Sequence, residues 1–358
     1  MTLPEPSAKE PLLPAAEPHP KDLALPALRE RFASQGWPRY RADQWAAWVY
    51  GRGVEGYEAM TDWPVALRSE LAERWPLEVL AVSGVQLSSD GTRKARLRTA
   101  DGHEIESVWI PEAGRTTLCV STQVGCPLAC SFCATGAMGF RRNLRTSEIV
   151  DQVCRMRALA GADAALSNVV FMGMGEPLLN RGAVEEAVRL LIDPKAFGLA
   201  PRRVTVSTAG VVPQIEPLLE AVPVSLAVSL HAARDAVRDV LVPLNRRFPL
   251  DALLGTLRRC ERITRRRPVF FEYTLIAGVN DSPEDSRELA ARVRGLPCKL
   301  NLIPMNAHAD SPHRPPAESV MNRFMAELVG AGLTVTLRRN RGADIDAACG
   351  QLAARDAA

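Results

Sequence analysis

Eight cysteines occur in this chain of 358 residues, and three of them stand together as Cys126-Pro-Leu-Ala-Cys130-Ser-Phe-Cys133. Thiolates select iron–sulfur clusters or zinc. A cubane cluster takes four ligands, so three sulfurs on one short loop leave one iron open to an exogenous ligand, which suits catalysis better than electron storage. A structural zinc site asks for a fourth Cys or His close by, and residues 120–150 supply none, with Cys119 just outside. A disulfide is not required, because a chain of this length buries a core without a staple.

Other residues could hold a polar ligand. Gly173-Met-Gly175-Glu176-Pro177 follows the apolar run Val-Val-Phe; glycines allow close backbone approach, and a carboxylate beside them can receive an ammonium group. Ser207, Ser229-Leu230-His231 and Asn306 each close a strand-like run with a hydrogen-bonding side chain. Singly these are weak signals, since Gly-rich strand ends are common and a strand-end serine more often caps the next helix. His231 by type would also suit a metal ligand or a general base.

Taken together the motifs are specific. The cysteine spacing resembles that of radical S-adenosylmethionine (SAM) enzymes. The stretches Cys119-Val-Ser-Thr-Gln-Val-Gly-Cys126, Phe171-Met-Gly-Met-Gly-Glu-Pro-Leu-Leu-Asn180, Ser229-Leu-His-Ala-Ala-Arg-Asp235 and Asp344-Ile-Asp-Ala-Ala-Cys349-Gly-Gln-Leu352 are similar, in content and order, to those of the dual-specificity adenine-C2 RNA methyltransferases, from about Leu23 onward. The resemblance implies one 4Fe-4S cluster on Cys126, Cys130 and Cys133, with SAM chelating the free iron. It implies SAM contacts at Gly175, Glu176, Ser207, Ser229, Leu230, His231 and Asn306, with Phe132 beside the adenine or in the core.

Adenine C2 is electron-poor and has no acidic proton, so polar methyl transfer finds no nucleophile there. The resemblance implies a sulfur relay instead: Cys349 first accepts a methyl group, hydrogen is abstracted from that S-methyl, and the carbon radical adds to C2. Glu106 then removes the C2 proton, and Cys119 forms a disulfide with Cys349 to release the base. The implied partners are 23S rRNA, transfer RNA and an electron donor such as flavodoxin or ferredoxin, with no membrane. Methylation at C8 of the same ribosomal adenosine, or a non-catalytic iron–sulfur RNA-binding protein, are the alternatives. Two departures bear on RNA grip: Ala-His-Ala-Asp follows Asn306, and the chain stops soon after Gln351. Cys154, Cys260 and Cys298 match no functional position and are expected to be structural.

Length admits one large barrel or two to three domains. Without a run of eighteen apolar residues or a cleavable leader, a cytoplasmic protein with reduced thiols is expected. A net charge of +3 does not announce a nucleic-acid binder. Arginines recur at Arg141/Arg142/Arg145, Arg202/Arg203, Arg246/Arg247, Arg265–Arg267 and Arg338/Arg339/Arg341, suited to phosphate but more often a solvated face.

Residues 1–21, rich in proline, form a disordered leader. Residues 22–77 form a helical RNA-binding accessory module, with helices begun by Leu23, Leu28 and Phe32, then Ala42–Tyr50 and Val65–Glu73. Its Arg39, Arg41, Trp45, Trp48 and Tyr50 either face RNA or pack a core. Residues 78–111 alternate with period two and form a short antiparallel extension. Residues 112–345 alternate strand-like and helix-like runs, the signature of βαβ units in an α/β fold; the resemblance narrows this to a partial (β/α)6 barrel. Residues 346–358 form the segment carrying Cys349.

Overall fold

The computed structural model describes residues 17–161, 165–307, 311–338 and 340–354. Most of the expected leader, residues 1–16, lies outside them, but its end is packed. Pro20–Asp22 forms a 3-10 turn, and the fully buried Lys21 ammonium lies 2.5 Å from both Asp151 Oδ1 and the Leu77 carbonyl oxygen. Composition could not reveal this, because the carboxylate that admits a buried lysine lies 130 residues away in sequence.

The N-terminal module consists of α1 (Leu25–Ser34), α2 (Tyr40–Ala46), which runs on as a π-helical turn over Ala47–Arg52, and α3 (Val65–Arg74). Leu25, Leu28 and Phe32 are buried at helical spacing along α1. Trp45 and Tyr50 are fully buried, and Trp45 Nε1 donates to Tyr57 Oη at 3.2 Å. These two aromatics are therefore core, not an RNA-facing surface. Tyr50 also packs on Phe197 with ring centroids 4.7 Å apart, which seats the module on the barrel. Trp48 is only half-buried, with the Arg52 guanidinium 3.7 Å from its ring centroid.

Strands β1 (Ala81–Leu87), β2 (Arg93–Arg98) and β3 (Glu104–Glu112) pair antiparallel. They are not a separate extension. β3 pairs with β4 (Arg115–Cys119) across a two-residue turn, so the expected boundary near residue 111 falls inside a strand and the hairpins continue the barrel sheet.

From β4 onward the chain alternates. A small separate pair, β5 (Gln123–Gly125) and β6 (Phe140–Asn143), brackets the cysteine loop and the one-turn α4 (Ala134–Ala137). There follow α5 (Thr146–Ala160), β7 (Asn168–Phe171), α6 (Arg181–Ile192), β8 (Val204–Thr208), α7 (Val212–Ala221) and β9 (Ser225–Ser229). Then come α8 (Asp235–Leu241), α9 (Leu250–Arg259), β10 (Val269–Leu275), α10 (Pro283–Val293), β11 (Cys298–Pro304), α11 (Glu318–Gly330) and β12 (Val335–Leu337). The ten-stranded sheet runs β1-β2-β3-β4-β7-β8-β9-β10-β11-β12, parallel from β4 on. Six β/α units are thus followed by a short further strand, and β1 and β12 remain edges, so the barrel is open.

Helices cover one face of these strands and side chains fill the other. Runs such as Val204, Val206, Leu226, Val228, Phe271, Tyr273 and Leu302 are accordingly buried, each removing apolar surface worth about 1.5–3 kcal/mol from water. Because the strands are parallel, everything that follows a strand emerges at one end of the barrel.

Candidate active site at the barrel mouth

Cys126 follows β5, and Cys133 directly precedes α4. The loop is set by its backbone: Cys126 N donates to Gly139 O at 2.9 Å and Cys133 N to Cys130 O at 3.1 Å. Gly125 has φ +72°, and a Cβ there would stand 1.9 Å from Gly139 O, so only glycine fits. Burial pushes the Cys126 thiol up to about 12 and raises the Cys130 thiol well above its ordinary value, with the neighbouring Cys133 sulfur repelling both. That mutual repulsion is the sign of three sulfurs sharing one pocket; an electrophilic metal centre relieves it by taking all three as thiolates. Among the described residues no three Cys, His, Asp or Glu side chains stand close enough to share a single ion. Three thiols on one short loop are a donor set that suits a cluster with one iron left open.

Gly173 and Gly175 follow β7, and the close approach they permit is to the chain itself. A Cβ on Gly173 would lie 2.8 Å from the Val120 carbonyl carbon, and one on Gly175 2.6 Å from Gln123 Cβ. Glu176 N donates to Gln123 Oε1 at 2.9 Å, which aims the Glu176 side chain. The Glu176 carboxylate is buried and accepts from Leu178 N at 3.0 Å and Ala209 N at 2.7 Å, bridging the ends of β7 and β8. Desolvation outweighs these donors and holds its pKa up at about 7.

Ser207 lies near the end of β8 and Ser229 closes β9. Leu230 N donates to Glu272 O at 3.0 Å. His231, at φ +56°, accepts from Thr274 N on Nδ1 at 3.0 Å, and Asn280 Nδ2 donates to its carbonyl at 2.6 Å. Burial, helped by the Arg238 charge, lowers the imidazole pKa to about 3. The ring is neutral with its proton on Nε2, a fixed donor rather than a base. Phe132 meets it edge-on, centroids 4.5 Å apart.

The C-terminal segment lies across this end of the barrel. Ala134 N donates to Gly350 O at 2.7 Å, Thr135 Oγ1 to Leu352 O at 2.6 Å, Gln351 Nε2 to Ala307 O at 2.9 Å and Asn306 Nδ2 to Cys349 O at 2.9 Å. Cys349 is therefore pinned beside the cysteine loop. It is exposed, yet enough protein surrounds it to push its thiol up to about 11, as befits a side chain in an open recess; the exposure decides that a reactant can reach it. Cys119, half-buried at the end of β4, has its thiol pushed up to about 12 by burial and by the Cys349 thiolate. Two cysteines 230 positions apart are thereby brought into one field, and Arg338 counteracts the shift at both.

Glu106, on β3, is buried; its Oε2 accepts from Ala353 N at 2.9 Å and its Oε1 lies 3.3 Å from Lys94 Nζ. Lys94 Nζ also donates to Asp346 O at 3.2 Å. Gly342 N and Ser88 Oγ bond Asp90 and Asp344 across the same junction, at 3.0 and 2.5 Å. The antiparallel hairpins thus hold the cysteine-bearing segment in place.

Among the described residues, the buried acceptors without a partner include Asn306 Oδ1, Glu272 Oε2 and Thr122 Oγ1. Asn306 follows β11, and its open acceptor fits a ligand rich in donors, as SAM is through its ammonium and ribose hydroxyls. Sequence reasoning missed Glu272, Lys94 and Arg238. A lone acid inside Val269-Phe-Phe-Glu-Tyr, in a strand buried on both faces, is the signal that could have found the first. The arginine clusters divide. Arg202/Arg203 and Arg265–Arg267 precede β8 and β10 and sit at the far end of the barrel. Arg142 is held by Asp101 and Glu148 at 2.6–2.8 Å, while Arg141 and Arg145 are exposed beside the cysteine loop. Arg339 and residues 308–310 lie outside the described residues.

Residues 120–290 match the radical SAM superfamily, and residues 21–76 match the ribosomal RNA large subunit methyltransferase N-terminal domain. A radical SAM methyltransferase from Sphaerobacter thermophilus is 46% identical, with a TM-score of 0.91 over 95% of this chain and 100% of that one. A domain of the pyruvate-formate lyase-activating enzyme from Bacteroides vulgatus is 20% identical, with a TM-score of 0.37 over 48% of this chain and 99% of that one. SAM-bound SuiB from Streptococcus suis is 13% identical, with a TM-score of 0.42 over 62% and 50%. Among the described residues no helix is long and apolar enough to cross a membrane. Members of the superfamily use a 4Fe-4S cluster and SAM. With its mouth, its N-terminal module and its full-length relative all agreeing, the chain belongs to the radical SAM methyltransferases of the RlmN type.

Proposed function

We propose that the protein methylates C2 of a specific adenosine in 23S rRNA, and of the adenosine beside the anticodon in some transfer RNAs. The observation that carries this reading is that Cys349 lies on a segment hydrogen-bonded beside the loop of Cys126, Cys130 and Cys133 and acts electrostatically on Cys119. A cluster with SAM supplies one-electron cleavage chemistry when bound, its electrons coming from a donor such as flavodoxin or ferredoxin.

The chain's own residues do the rest. Cys126, Cys130 and Cys133 hold the cluster. Glu176 receives the SAM ammonium, Gly175 keeps the backbone close, and Ser207, Ser229, Leu230, His231 through Nε2–H and Asn306 through Oδ1 orient the remainder. Cys349, exposed in the recess, carries the methyl group as a thioether. That sulfur becomes joined to the base through the methylene carbon. Once the adduct has given its C2 proton to Glu106 and its unpaired electron to a one-electron acceptor, Cys119 as thiolate attacks the Cys349 sulfur; the S–S bond forms as the S–C bond breaks, and the electron pair stays on the methylene carbon, which takes up a proton to become the methyl group. Both thiols lie well above neutral pH in this state, so the Arg338 charge beside them favours the thiolates the relay needs. Glu106, held beside Lys94 and Ala353 N, accepts the C2 proton on a carboxylate oxygen.

Nucleoside mass spectrometry of ribosomal and transfer RNA from a deletion strain tests this. Loss of 2-methyladenosine from both is expected. Loss of 8-methyladenosine instead, or no loss, refutes it.

A further inference from the structure

Arg238, on α8, is fully buried. Its Nε donates to Leu230 O at 2.9 Å, Nη1 to Asn245 Oδ1 at 2.9 Å, and Nη2 to Ala209 O at 2.6 Å and Ser229 O at 3.0 Å. Every acceptor is neutral. Among the described residues no carboxylate comes within ion-pair distance of it, and Asp235 and Asp239 act only from further off. A buried cation left in this state is costly unless an anion faces it. The cysteine loop packs on the same helix: Ser131 N donates to Leu241 O, three residues beyond Arg238, at 3.1 Å, and a negative charge at Cys130 acts favourably on the guanidinium.

We propose that Arg238 is the built-in countercharge of the cluster, a positioning residue that makes the cluster easier to reduce. Three thiolates and a cluster carry net negative charge, and reduction adds one more. A fixed cation in a dry site favours the more negative state. The same guanidinium ties three carbonyls at the ends of β8 and β9, so the residue that sets the charge also fixes the backbone of Ser229 and Leu230. This rests on the assignment of Cys126, Cys130 and Cys133 as cluster ligands.

The test is an anaerobic redox titration of the reconstituted full-length protein, followed by the electron paramagnetic resonance signal of the reduced cluster. Arg238→Gln should lower the reduction equilibrium constant about tenfold, equal to about 59 mV for one electron. Arg238→Lys should stay near the parent value. Asp239→Asn removes an opposing charge while keeping an oxygen for Asn245, which donates to Asp239 Oδ1 at 2.7 Å; it should shift the potential upward. An iron-loaded Arg238→Gln with the parent potential overturns the proposal. If that variant does not fold, an unmoved or lowered potential in Asp239→Asn overturns it equally. A parent protein that takes up no cluster refutes the ligand assignment instead.

Discussion

If Glu176 receives the SAM ammonium as proposed, SAM binding is coupled to a proton. Each of the Glu176 carboxylate oxygens accepts one backbone N–H, yet burial holds the group's pKa at about 7 against an ordinary 4.5. At 1.36 kcal/mol per unit the difference is about 3 kcal/mol. The fold therefore favours the neutral acid: this contribution to stability is full below about pH 4.5 and is lost as pH rises through about 7. An ammonium ligand favours the carboxylate, so SAM affinity should rise up to about tenfold per unit as pH climbs towards about 7, then level off. Anaerobic calorimetry on reconstituted protein between about pH 5.5 and about pH 8.5 spans that range. In Glu176→Gln the slope should vanish and the plateau fall by about one to two orders of magnitude, for a charge-assisted bond of about 1.5–3 kcal/mol. Glutamine sets an N–H against one of the two backbone donors, so the variant should also melt lower. Melting is the control that separates a loosened fold from lost affinity. A flat profile in the parent protein, or an unchanged slope in the variant, refutes the role.

Three further outcomes are expected. Cys349→Ala should abolish methylation and leave no RNA attached, whereas Cys119→Ala should trap protein joined to RNA through Cys349, visible as a shifted band of labelled RNA on a denaturing gel; like behaviour of the two variants would refute the relay. Lys21→Met should lower unfolding free energy by about 3 kcal/mol in urea titration, because Asp151 would stay buried with Val79 N and Leu80 N as donors and only the longer Arg155 ion pair, at 3.8 Å, as countercharge; a loss under about 1 kcal/mol would make the N-terminal clasp incidental. Replacing Arg141 and Arg145 by Gln should reduce the log–log salt slope of RNA binding by about 2, while the same change at Arg202 and Arg203, at the far end of the barrel, should leave it unmoved. Equal effects would mean that RNA wraps the whole barrel.

The contrast between what could and could not be read from sequence follows the range of the forces involved. Parallel strands are buried on both faces, so they appear as short apolar runs whatever surrounds them. Val269–Leu275 and Ser225–Ser229 could be placed from composition alone. The strand-end residues could be placed too, because parallel pairing sends every strand end to one mouth. Lys94 could not. In Arg93-Lys-Ala-Arg-Leu-Arg the period of two puts Ala95 and Leu97 inward and Lys94 outward, to solvent in an isolated hairpin. That face is instead covered by Gly342–Ala353, whose residues lie some 250 positions away, and the ammonium meets Glu106 and the Asp346 carbonyl there. Arg238 is hidden for the same reason: a charge in the sequence does not reveal whether water or protein faces it. Cys349 shows how the two kinds of information combine. Its motif marks it as special, but only the hydrogen bonds from Asn306 and Ala134 to its segment explain why a thiol near the chain's end meets Cys119 and the cysteine loop. If those bonds set the encounter, Asn306→Ala should slow disulfide formation between Cys349 and Cys119 under mild oxidant while leaving the melting temperature nearly unchanged. An unaltered rate would mean that the segment finds its place without them.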